Sequence, residues 1–334
     1  MRAWQIPAFG IDSLEFVERP TPAPGPGEVL VGVRAVSLNY RDLMVVKGVY
    51  NPKMKLPRIP CSDGAGEVVA IGADVNKWRP GDRVAGIFMQ NWLDGPITAA
   101  KARGALGGDV DGMLTDFIVL KEPGLVAIPD HLSFQEAATL PCAAVTAWNA
   151  LAATELKPGS TVLIQGTGGV SIFALQFARL KGARVLGISS SYEKLERASA
   201  MGLDAGLNYR DNPEWDRWAL DQTGGEGVDL IVEVGGAGTL ARSLRAIRPG
   251  GTIAQVGVLT QSPDPLPIPL LLHKTARIHG IYVGSRRDFL EMNRAITLAE
   301  LRPIGEDFDW HHTREALDRM QEASHFGKLV LTIH

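Results

Sequence analysis

The chain has 334 residues, 45% of them hydrophobic and 21% charged, which suits two globular domains with cores of ordinary size and excludes a disordered or fibrous protein. Its 34 basic and 37 acidic residues leave a formal charge of −3, interleaved without a lysine or arginine run, which argues against nucleic acid as a partner. No apolar run approaches the roughly 20 residues of a membrane span, and two cysteines, Cys61 and Cys142, cannot build a disulfide framework; the expectation is a cytoplasmic protein.

The first third reads as short strands between turns. Residues 20–27 alternate proline with small residues, a rigid extended connection. Residues 28–36 alternate Val29, Val31 and Val33 with Leu30, Gly32 and Arg34, which predicts a strand. Further strands are expected at 66–71, 83–88 and 115–120, with a loop at 104–112 that carries four glycines and two aspartates. The pattern changes near Pro129, where Ser133 and Glu136 form a capping box that opens a helix. Strands at 161–165, 184–189, 228–234 and 252–256 then alternate with helices at 169–181, 192–201 and 240–247, which predicts a parallel sheet covered on both faces. The tail reads as mostly helical over 288–321, then as a strand over 328–333. Two domains follow: 1–125 completed by 284–334, and 126–283.

The most informative stretch is Gly166-Thr167-Gly168-Gly169-Val170-Ser171, between a buried strand and a helix whose Val170, Phe173, Ala174, Phe177 and Leu180 share one face. Gly166 permits a tight turn and Gly168 a close approach of backbone to a pyrophosphate. The helix start offers N–H groups and the positive end of its dipole. Ser171 stands where a third glycine is usual and is small enough to keep helix and strand close. A plain strand–turn–helix is the bland alternative, and the flanking pattern argues against it. An acidic residue about 20 positions after the first glycine would bond a ribose 2′-hydroxyl. The chain has Ser189, Ser190 and Ser191 there, followed by Lys194, and these suit a 2′-phosphate. NADP is the expected cofactor and NAD the alternative; helix N-capping is the structural alternative for the serines.

In order, Pro24 to Val29, Asn39 to Asp42, Gly64 to Val68, Pro80 to Val84, Leu140 to Ala143, Gly166 to Ser171 and Gly327-Lys328 resemble the medium-chain dehydrogenase/reductase superfamily over essentially the whole chain. The resemblance implies an α/β protein: a GroES-like, β-rich catalytic domain, then a Rossmann domain with a doubly wound parallel sheet. Zinc-dependent members hold catalytic zinc with two cysteines and a histidine. Asn39 and Ser62 stand at the first cysteine and the histidine positions, and only Cys142 remains. An amide, a hydroxyl and one thiol make a poor zinc site, with or without Asp63, so no metal is expected.

The zinc-free branch that the chain resembles, the quinone oxidoreductase-like enzymes, moves hydride from NADPH to a conjugated carbonyl, which hydrogen-bond donors can polarise. By this resemblance Asn39 lies near the nicotinamide ribose. Tyr40, Arg41 and Tyr50 are the nearby donors for a substrate carbonyl, although Arg41 and Asp42 read equally well as a structural ion pair. Thr146 faces the nicotinamide, and Tyr209 lies near the 2′-phosphate. Gly235, Gly257, Val258, Ile281 and Val283 fall near strand carboxyl ends, where open α/β sheets bind ligands. Phe326 and Lys328 belong to a segment returning towards the cofactor. The implied partners are a small carbonyl or quinone substrate and a second copy of the chain, paired through the sheet edge near 278–283. A metal-free alcohol or aldehyde dehydrogenase and a non-catalytic NADPH-binding sensor are the alternative functions.

Overall fold

An antiparallel pair, β1 (Arg2–Gln5) and β2 (Glu15–Glu18), leads into β3 (Glu28–Leu38), whose valines and leucines make it a strand buried on both faces. The structure, a computed structural model, describes residues 1–263 and 265–334. After β3 come α1 (Tyr40–Val46), β4 (Asp63–Ile71), β5 (Arg83–Gly86), β6 (Phe117–Lys121), β7 (Leu125–Ala127) and α2 (Phe134–Ala138). β3 pairs antiparallel with β4 along most of its length and with β6 over its first half. The expected capping box opens α2: Glu136 N–H donates to Ser133 Oγ (3.1 Å), and Ser133 N–H to the Glu136 carboxylate (2.8 Å). A single π-helical turn, Leu140–Ala144, follows. Such turns are uncommon and recur at functional sites.

Helix α3 (Val145–Ala152) then opens a second unit, Thr146–Tyr282. Its elements are β8 (Thr161–Gln165), α4 (Gly169–Leu180), β9 (Arg184–Ser189), α5 (Tyr192–Ala200), β10 (Ala205–Asn208), α6 (Trp215–Gln222), β11 (Val228–Glu233), α7 (Ala237–Ala246), β12 (Ile247–Gln255), α8 (Ile268–His273) and β13 (Arg277–Gly280). The six strands are all parallel in the order β10-β9-β8-β11-β12-β13. The order reverses direction between β8 and β11, and that switch point is where open α/β sheets take dinucleotides. Leu163, Leu186, Ile231 and Ile253 are fully buried at its core.

The chain returns to the first unit with α9 (Arg286–Leu298), β14 (Gly305–Asp309), α10 (Thr313–Gln321) and β15 (Lys328–Thr332). β15 pairs antiparallel with the end of β3, and β14 parallel with β15. β14 interrupts a stretch expected to be helical. Helix α9 ends at Leu298, Glu300 follows in a left-handed conformation (φ 47°), Pro303 disfavours a fresh helical turn, and Phe308 packs against the core. The first unit is Met1–Val145 with Val283–His334. Residues 126–145, assigned from sequence to the dinucleotide domain, therefore lie in the first unit, because α2 packs on β3 and β4. Among the described residues no helix is long and apolar enough to cross a membrane.

Candidate functional site

In the first unit, a buried polar chain joins four separate segments. Asn39 is the N-cap of α1, and its backbone N–H donates to Asp42 (2.8 Å), closing a capping box. Asp42, fully buried, also accepts the N–H of Ser62 (3.3 Å) and so sets the start of β4 beside Asn39. The preceding Cys61 adopts a left-handed backbone (φ 72°). Gly112 passes over it so closely that a Cβ would lie 2.2 Å from the Cys61 carbonyl oxygen.

Along the chain, Lys328 Nζ donates to Leu38 O (2.6 Å) and Asn39 Oδ1 (2.5 Å). Asn39 Nδ2 donates to Ser62 Oγ (3.4 Å), and Ser62 Oγ to Asp63 Oδ1 (2.7 Å). The other Asp63 oxygen accepts the N–H of Cys142 (3.0 Å). Pro141, which lacks an N–H, is the second residue of the π-helical turn there, and the Cys142 donor reaches a side chain instead of a helical carbonyl. Burial pushes the Asp63 carboxyl up to about 6, against the opposing pull of the Lys328 ammonium. Burial, reinforced by Asp63, also pushes the Cys142 thiol up, so it stays protonated at neutral pH.

Arg41 is buried with its guanidinium 4.6 Å from the Phe88 ring centre and 5.1 Å from that of Tyr50. Its Nη1 donates to Leu106 O (2.7 Å) in the 104–112 loop, it lies 3.7 Å from Asp42, and it hydrogen-bonds the Tyr50 hydroxyl. Tyr40 and Tyr50 are exposed, at 42% and 38%. Phe326 is buried, and Val283 is buried in a left-handed conformation (φ 57°) that a β-branched residue rarely adopts.

In the second unit, the 166–171 turn takes the form its residues dictate. Gly166 has φ 70°, and a Cβ on Gly166 or Gly168 would meet no atom within 4 Å, so the turn is an open cradle. Gly168 is the N-cap of α4 and makes no side-chain cap bond, which leaves the helix's first N–H groups for an anion. Ser171 Oγ turns inward to Gln165 O (2.6 Å), the close packing expected of a small residue there. Thr167 is buried, and Gly169 and Val170 begin the helix. A pyrophosphate fits this cradle.

Ser189 ends β9, and Ser191 caps α5 by accepting the N–H of Lys194 (3.3 Å), as the structural alternative had it. Ser190 is half-buried between them, and Tyr209 is exposed beyond β10. No carboxylate stands among these serines, and the nearby Asp211 accepts the Tyr192 hydroxyl (2.5 Å). Thr146 is buried at the start of α3, Val258 is exposed, and Ile281 is half-buried.

Sequence reasoning missed Glu233, fully buried at the end of β11. It accepts Gln165 Nε2 (2.7 Å), Gly235 N–H (2.9 Å), Gly236 N–H (3.0 Å), Thr239 Oγ1 (2.5 Å) and the Ser243 hydroxyl. The start of α7 therefore carries an anion of its own, whereas α4 does not. Gly235 spends its N–H on Glu233 and its carbonyl on Thr260 (2.7 Å). Gly257 packs where a Cβ would lie 1.9 Å from Val234 O. The available signal was an acid at the end of the apolar run Leu230 to Val232, just before Gly235-Gly236.

Residues 25–130 match the alcohol dehydrogenase GroES-like domain family, and 169–297 the zinc-binding dehydrogenase family. A zinc-type alcohol dehydrogenase-like protein of Schizosaccharomyces pombe is 43% identical, over 97% of this chain and 96% of that protein. A putative alcohol dehydrogenase from Sinorhizobium meliloti 1021 superposes with a TM-score of 0.93 at 38% identity, covering 99% of this chain and 98% of that one. A quinone oxidoreductase from Coxiella burnetii superposes at 0.80 with 25% identity, over 100% and 99%. Sheet order, glycine cradle and relatives together define a nicotinamide-dependent oxidoreductase. The chain belongs to the medium-chain dehydrogenase/reductase superfamily.

Proposed function

We propose that this oxidoreductase works without zinc and passes hydride from NADPH to a quinone or an α,β-unsaturated carbonyl. The carrying observation is the donor set at positions 39, 62 and 142. The Asn39 oxygen is taken by an ammonium and the Ser62 hydroxyl by Asp63, so the Cys142 sulfur alone among the three is a usual zinc ligand. Zinc needs thiolate, imidazole or carboxylate ligands with open lone pairs, and this set does not fit it. Among the described residues no group of three histidine, cysteine, aspartate or glutamate side chains could hold a metal ion. Without a Lewis acid, an alkoxide lacks its usual stabilisation, which disfavours simple alcohol oxidation. An enone or quinone needs only hydrogen-bond donors at its oxygen.

The 166–170 cradle would hold the pyrophosphate, and Ser189 to Ser191, Lys194 and Tyr209 the 2′-phosphate. A bound NADPH would supply the hydride. Exposed Tyr40 and Tyr50 are the donors proposed for the acceptor's carbonyl. Tyr50 accepts from Arg41, which only donates, so the tyrosine's own proton is directed elsewhere. Arg41 acts here by holding Tyr50 and the 104–112 loop. Asn39 and Thr146 are the residues proposed beside the nicotinamide.

A homodimer through β13 belongs to the same reading. β13 is an edge strand, and the adjacent α8 exposes Ile268 (57%) and Leu272 (71%). Light scattering of the purified protein tests it. The two unpaired cysteines accord with a cytoplasmic location. Assays of NADPH and NADH oxidation against a quinone, an enone and a saturated aldehyde, and of NADP+ reduction by an alcohol, test the activity. Turnover confined to the first two acceptors supports the reading, and turnover confined to the alcohol overturns it. Tight NADPH binding with no turnover would make the chain a sensor.

A further inference from the structure

We infer that Lys328 is a positioning residue that locks the Asn39 amide, and that it makes no contact with the cofactor's phosphates. The inference rests on the proposed placement of Asn39 beside the nicotinamide. Lys328 is 3% exposed, and its ammonium already donates to Leu38 O and Asn39 Oδ1 at 2.6 and 2.5 Å. A phosphate contact would have to pull a buried cation out of two short, charge-assisted bonds.

An ammonium has only donors, so the oxygen of the Asn39 amide must face it and the Nδ2 group must face Ser62. That orientation propagates. Ser62 Oγ receives from Asn39 and gives its own proton to Asp63, whose second oxygen takes the Cys142 N–H. Every donor between Lys328 and Asp63 points the same way, so a buried cation and a buried carboxylate close a chain with two neutral links. Hydrogen bonds so aligned reinforce one another. Removing the charge at 328 takes away the partner that fixes the oxygen end of the Asn39 amide and leaves its Nδ2 end to Ser62 and Asp63, which the amide also hydrogen-bonds. A flipped amide would then present N–H where an oxygen stood. In zinc-dependent relatives a metal would join the same segments through side chains at 39, 62 and 142. Here a lysine from β15 does so.

The test compares wild-type protein with Lys328→Met and Lys328→Gln, the latter neutral but still able to donate through its side-chain NH2. NADPH affinity is read by fluorescence titration without acceptor, and kcat at saturating NADPH with an enone. The lock predicts NADPH Kd within about twofold of wild type for both variants. It predicts kcat reduced at least tenfold in Lys328→Met and partly recovered in Lys328→Gln. A Kd raised tenfold, with or without a change in kcat, makes Lys328 a cofactor contact and overturns the inference. If the wild type turns over no acceptor, the proposed function fails on its own, and the lock is still read in the free protein. Asn39 side-chain amide resonances, assigned by their loss in Asn39→Asp, should shift in Lys328→Gln. Unchanged resonances overturn the lock.

Discussion

Gln165 donates its side-chain N–H to Glu233 at 2.7 Å, tying the last residue of β8 to the last residue of β11 across the switch point of the sheet. Gln165 immediately precedes the Gly166 turn and Glu233 lies two residues before Gly235, so one buried bond sets the two loops relative to each other. Replacing Glu233 by alanine would strand buried donors from Gln165, Gly235, Gly236, Thr239 and Ser243. The expected loss is on the order of 3 kcal/mol in urea unfolding, with NADPH binding weakened. A loss below about 1 kcal/mol would show that the carboxylate does not organise these loops.

Gly168→Ala isolates the cradle from the fold. Its φ of −76° suits alanine, and nothing lies within 4 Å of the new Cβ. The thermal midpoint should hold, while NADPH Kd rises roughly tenfold or more, the equivalent of losing one strong phosphate contact. Unaltered affinity would place the pyrophosphate elsewhere.

Cofactor choice turns on Lys194. Lys194→Ala should weaken NADPH by about tenfold, as expected for one charge-assisted contact, and leave NADH within about twofold. Equal losses for both cofactors would count against a 2′-phosphate site at the α5 start.

Asp63 makes a pH prediction. Burial raises its folded-state pKa to about 6, above the ordinary aspartate value. The folded state therefore binds the proton more tightly than the unfolded chain. Stability from this group is fully present below about pH 4 and is lost as pH rises through 6, on the order of 3 kcal/mol in all. Other carboxylates, such as Asp216 and Glu306, are shifted down and act in the opposite sense. The comparison is thus wild type against Asp63→Asn: their difference in unfolding free energy should move by that amount between pH 4 and 7 in favour of the variant. A difference independent of pH would contradict it.

Local signals were legible in the sequence. The bounds of β8 and β9, the α2 capping box and the open turn at 166–168 each depend on neighbours a few residues apart. Gln165 and Glu233 are 68 residues apart, and Lys328 and Asn39 are 289 apart. No spacing rule relates such pairs, because only the sheet pairings bring them together. The unit boundary was misplaced for the same reason: residues 126–145 carry helical signals but find their packing partners in β3 and β4. Asn39 and Ser62 drew attention by departing from a ligand pattern, while Lys328, which completes their chain, read as part of a cofactor segment.

Zinc-free hydride transfer is tested most directly by NADPH-dependent reduction of an enone by protein dialysed against a strong chelator. Turnover should be undiminished, with zinc far below one ion per chain by elemental analysis. Activity that disappears on chelation and returns on adding zinc would contradict it.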